Sequence, residues 1–90
     1  MVVPTTRLIY VNHGSEQQRI VDAVMKQFPS YRDFCEAIGI TLTEKCDPQG
    51  KAQRLKNGLE GFKPYQWEKL MEQWYAISLE NRTLYMRGLI

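Results

Sequence analysis

Residues 15–39 read SEQQRIVDAVMKQFPSYRDFCEAIG, and this stretch decides the fold. Ile20, Val21, Val24, Met25 and Phe28 recur at steps of one, three, one and three, which puts them on one face of a helix. Ser15 with Gln18 three residues later is a capping-box pattern for its start. Pro29 stops it, because proline disfavours helix in the residue before it. Ser30 caps a second helix, whose Tyr31, Phe34, Cys35 and Ile38 again share a face, and Gly39 is placed as its C-terminal cap. Two short amphipathic helices broken by a proline predict an all-α protein.

The pattern continues toward the C-terminus. Residues 40–46 form a connection in which Leu42 is expected to tuck inward. Asp47-Pro48 is a cap followed by proline at the first helical position, and it opens a third helix with Ala52, Leu55 and then Leu59 expected inward. Asn57-Gly58 ends that helix and Gly61 adds a second break. Pro64 opens a fourth helix, where Trp67, Leu70, Met71, Trp74 and Ile77 make the broadest apolar face of the chain. Ser78 caps a fifth, with Glu80 in its first turn and Leu84, Tyr85, Leu89 and Ile90 as its apolar contacts. Before all of this, residues 6–11 are rich in β-branched and aromatic types and read as a short strand or an extended arm, ended by the Asn12-His13-Gly14 turn. The division expected is an arm over residues 1–14 and one helical domain over 15–90, a compact bundle of five or six short helices. Its core is expected around Val24, Phe28, Phe34, Ile38, Leu55, Trp67, Leu70 and Trp74.

Ninety residues give room for one core, and a chain of this size buries only about 60–65% of its unfolded surface. The longest apolar run, residues 8–11, is far too short to span a bilayer, and the N-terminus lacks a basic region followed by a long apolar one. The expectation is a cytoplasmic protein with no membrane contact. Cys35 and Cys46 are too few for a disulfide scaffold and do not have a zinc spacing, so no metal is expected. The net charge of +2 neither demands nor excludes nucleic acid.

Catalysis needs converging polar groups, and the sequence offers none in a known arrangement. There is no nucleophile elbow and no phosphate-binding glycine loop. His13 reads as a turn residue, Cys35 as a small core residue and Glu68 with Glu72 as a solvated face. Neither an enzyme nor a cofactor or small-molecule ligand is expected. Two features point instead to binding. Lys51, Arg54, Lys56 and Lys63 cluster around the third helix against Glu60 alone, a patch suited to phosphate or an acidic protein surface. Tyr65 and Tyr75 fall off the tryptophan stripe of the fourth helix and are candidate exposed anchors.

Residues 15–34, with Trp67-x-x-Leu70, Glu80-Asn81 and Leu84 later, resemble bacterial effector-associated domains over residues 15–89. That resemblance implies a death-domain-like helical fold coupling like to like in defence or signalling, and it carries no individual binding residue across. On this reading the chain is a non-enzymatic interaction module that binds a protein partner or itself. Acidic Asp22, Asp33 and Glu36 would face one way and basic Lys51, Arg54 and Lys56 the other. A second resemblance is to helix-turn-helix regulators of phage or plasmid type. Residues 34–40 look like the first helix and turn, residues 51–58 like a recognition helix ending in Asn-Gly, and residues 78–82 are similar to repressor tails. It implies a DNA-binding role for Lys51, Gln53 and Arg54, with dimerisation through the strand at residues 8–11. The motif's turn has three or four residues, whereas residues 41–47 intervene here, an insertion that misplaces the recognition helix unless part of it forms an extra turn. A small inhibitor protein of a host enzyme is the third reading.

Overall fold

The structure is a computed structural model and describes residues 7–90. Five helices follow in order: α1 (Glu16–Met25), α2 (Tyr31–Ala37), α3 (Pro48–Lys56), α4 (Pro64–Ala76) and α5 (Leu79–Met86). No strand occurs among the described residues. The starts follow the local chemistry of the sequence. Ser15, Ser30 and Ser78 each accept a hydrogen bond at Oγ from the amide three residues on, and Pro48 and Pro64 occupy first-turn positions whose amides would have no helical partner. Two details differ from the sequence reading. Gln18 Oε1 accepts from Gly14 N at 2.8 Å and so closes the turn before α1 rather than the Ser15 amide. Asp47 stands at the cap of α3 without a side-chain cap bond.

α1 lies at the centre and packs against each of the other four helices, while α2 packs against α3. Val24, Phe34, Ile38, Leu55, Leu70 and Trp74 are buried, as the periodicity predicts. Phe28 and Trp67 are only half-buried. α1 stops at Met25, so Phe28 reaches the core from a turn and meets Phe34 edge-on, with ring centroids 6.2 Å apart. Leu59 is 73% exposed, a correction to its inward placement. Gly58, at φ +76°, turns the chain out of the α3 register, and Phe62 takes the core position instead, with no exposed surface. Leu89 and Ile90 are also exposed, because the chain leaves α5 at Gly88.

The N-terminal segment packs as an extended arm. Ile9 and Phe62 exchange two backbone hydrogen bonds, at 2.7 and 2.8 Å, in a single antiparallel bridge. Its pairing partner is thus in the same chain. Ile9 and Val11 turn inward while Leu8 and Tyr10 turn outward, the alternation of an extended backbone. The part of the arm at residues 1–6 lies outside the described residues.

Gly58 carries two constraints at once. Its φ is left-handed, and a Cβ there would overlap the carbonyl oxygen of Val11. Gly14 has a similar φ of +78° with open space around it. Gly58→Ala should therefore lower stability by about 2 kcal/mol or more, and Gly14→Ala by only about 1 kcal/mol. Urea unfolding of the two variants checks this, and equal losses would show that the arm does not press on Gly58.

Candidate functional site

The arm, the connection after α2, one face of α3, the turn after it and the start of α4 enclose an open groove of about 720 Å³. Its floor is Gly61. A Cβ there would stand 2.6 Å from the Leu8 Cβ and 3.1 Å from the Tyr10 ring, so the two side chains sit astride a glycine that leaves them room. The connection from Ile40 to Asp47 forms the opposite wall. Ile40 is buried and Leu42 half-buried, which anchors the start of this connection to the core. The excess length then folds into a turn: Cys46 N donates to Thr43 O at 3.0 Å, and the Thr43 hydroxyl donates to Cys46 Sγ at 3.4 Å. That hydroxyl holds the Cys46 thiol below its ordinary pKa. Cys35, buried under the start of α3 with its Sγ 3.9 Å from Pro48 O, is pushed up by burial. α2 and α3 therefore pack together despite the long connection between them.

Lys51, Arg54 and Lys63 converge on this groove, with Tyr65 on its rim. Lys51 Nζ donates to Glu60 Oε2, and Arg54 Nε donates to Glu60 Oε1 at 2.5 Å. Tyr65 lies over Gly39, with its hydroxyl 3.4 Å from Gly39 O. Lys63 is exposed at the start of α4, where its backbone N–H donates to Gln66 Oε1 at 2.9 Å. Lys45 joins them from the connection, so the groove holds Lys45, Lys51, Arg54 and Lys63 against Asp47 and Glu60 and stays net positive.

The remaining predicted residues lie elsewhere. Lys56 faces Asp22 at 3.8 Å, and Asp22 also pairs with Lys26 at 3.1 Å, so Asp22 and Lys56 meet on one side of the molecule rather than facing opposite ways. Asp33 and Glu36 are exposed on α2. Gln53 leans back toward α2, where its Nε2 donates to Tyr31 Oη at 3.3 Å. Tyr75 is exposed on α4 with the Arg82 guanidinium 5.1 Å from its ring centroid. The sequence reading missed Glu60 as a partner of α3, and missed Leu8, Tyr10 and Lys45 as lining residues. Lys51 and Arg54 lie on a helix and Glu60 on the turn after it, so no helical spacing rule could pair them.

No group of three His, Cys, Asp or Glu side chains suited to a metal occurs among the described residues, and no helix among them is long and apolar enough to cross a membrane. Comparison with protein families, with characterised proteins and with solved structures gives no match.

Hydrogen bonds from Lys51 and Arg54 hold the Glu60 carboxyl below its ordinary pKa. A depressed carboxyl contributes stability above the unfolded-state value, about 4.3, and loses it as pH falls through the folded value. The melting temperature of the wild type should exceed that of Glu60→Gln at neutral pH, and the gap should close as the solution is acidified below that range. A gap that does not change with pH would contradict the clasp.

Proposed function

We propose that the chain is a DNA-binding regulator that lays α3 in the major groove and grips the flanking backbone with Lys45, Lys51, Arg54 and Lys63. The observation that carries this reading is the packing of α2 against α3 across a connection whose excess length folds away at residues 43–46. A recognition helix needs one face fixed on a partner helix and the other polar and open. On α3, Ala52 and Leu55 are buried while Gln49 and Arg54 are exposed. Gln49 stands in the first turn, the part of such a helix that reaches base edges, and its amide suits adenine. The lysines around the helix supply the sequence-independent attraction to phosphate.

A death-fold-like coupling module remains the second reading. Its proposed charges are partly answered within the chain, Asp22 by Lys26 and Lys56, and Lys51 and Arg54 by Glu60. What favours it is the exposed apolar rim of the groove, formed by Leu8, Tyr10, Leu59 and Tyr65.

Fluorescence anisotropy with labelled duplex DNA over a salt series tests the proposal. Binding should weaken steeply with salt. Lys63→Gln should weaken it on every sequence and flatten the logarithmic salt slope by about one, whereas Gln49→Ala should blunt discrimination between sequences. Absence of binding at moderate salt, with a size that grows with protein concentration, would overturn DNA binding in favour of the coupling module.

A further inference from the structure

Glu60 stands where an anionic ligand of α3 would stand. Both of its carboxylate oxygens are taken, one by Lys51 and the other by Arg54. The two cations are three residues apart on α3, so they project from adjacent turns of one face. Glu60 itself comes from outside the helix. It is carried in by the turn that Gly58 begins and that the Ile9–Phe62 bonds close. A carboxylate gripped by an ammonium and a guanidinium is the arrangement of an anion site whose occupant the chain supplies. The groove around it is open and also holds Lys45 and Lys63, with Asp47 as the other acid in its lining. Glu60 therefore answers only part of the positive charge gathered there.

We propose that Lys51 and Arg54 form a phosphate-binding site that Glu60 occupies in the free protein, and that a phosphodiester or polyphosphate oxygen displaces the Glu60 carboxylate on binding. The inference rests on the DNA-binding reading for the source of the phosphate, and not for the site. Phosphate is the fitting ligand class for two reasons. A guanidinium matches phosphate oxygens in a two-pronged contact as well as it matches a carboxylate. A chain of phosphates also offers further oxygens to Lys45 and Lys63, along the same groove. The exchange is accessible because the pairs it breaks are partly solvent-exposed, with side-chain exposures of 30% for Lys51, 47% for Arg54 and 30% for Glu60. Glu60 then acts as a tethered competitor. It screens the helix from weak anions and gives way to a ligand that makes several contacts at once.

The test compares wild type with Glu60→Gln, which keeps the size of the side chain and removes its charge. Calorimetric titration with sodium tripolyphosphate and with duplex DNA should show binding about three- to tenfold tighter in the variant for at least one of the two. Lys51→Gln placed on top of Glu60→Gln should erase the gain. Unchanged or weaker binding of both ligands overturns the site. The arms also separate the two readings. A gain on tripolyphosphate when neither protein binds duplex keeps the site and removes DNA as its partner. Duplex binding by the wild type that Glu60→Gln strengthens for neither ligand keeps the DNA reading and removes the site. A measurement on the wild type alone does not depend on the variant folding. The Arg54 Nε–H resonance should shift in a saturable way on addition of tripolyphosphate, and a resonance that stays fixed to millimolar ligand overturns the inference.

Discussion

The double hydrogen bond between Ile9 and Phe62 fixes the segment on which the site depends. It ties the N-terminal arm to the connection between α3 and α4, two pieces of chain that belong to no regular element. Phe62 drives its ring fully into the core, edge-on to Trp67 with centroids 5.4 Å apart, while its backbone holds the arm. Val11 closes over Gly58 at the other end of the same turn. Glu60 is thereby strung between two fixed points and presented to Lys51 and Arg54. The C-terminus of α3 is held in turn by α1, where Gln18 Nε2 donates to Lys56 O at 3.0 Å and to Asn57 Oδ1 at 3.2 Å. A glutamine that looks like a capping residue thus also fixes the end of the candidate recognition helix.

Stability is distributed unevenly around this arrangement. α1 touches every other helix and contributes four buried residues, Val21, Ala23, Val24 and Met25. α5 contributes none. Its Tyr85 and Met86 pack half-buried against the core, and its C-terminal end is also held by Arg19 donating to Met86 O and by Gln27 donating to the Tyr85 hydroxyl at 2.9 Å. An element with only half-buried contacts opens more easily than one locked by full burial. α3, which lines the groove, and α2, on which it packs, are of the second kind, with Phe34, Cys35, Ala52 and Leu55 buried. A surface that must meet a rigid partner gains from being on the rigid side of the molecule.

Most of the fold was legible because its signals are local. Three serine caps, two first-turn prolines and the stop after Ile38 act within a few residues of themselves, and each marks an element that the structure contains. Apolar spacing identified most of the helical core for the same reason. The reading failed where the chain leaves the helices. Val11, Ile40 and Phe62 are buried from irregular segments, where no period of 3.6 announces an inward face. Extending the helical period past Gly58 puts Leu59 inward, whereas the glycine's left-handed φ has already turned the chain away. The site suffered the same limit. Lys51, Arg54, Lys63 and Tyr65 were visible as charge and exposure on known helices. Their joining into one groove, the clasp by Glu60 and the meeting of Asp22 with Lys56 depend on tertiary contacts that no local rule encodes.

On the proposed DNA-binding reading, α3, packed on α2, and the turn behind it form one nucleic-acid-facing surface. Amide chemical-shift mapping of the isotopically labelled chain, titrated with a short DNA duplex, addresses it most directly. The largest shifts should fall on Gln49 to Asn57 and on Glu60 to Lys63, with α5 nearly silent. Shifts centred on the Trp67 to Tyr75 face of α4, or no shifts at saturating duplex, would contradict it.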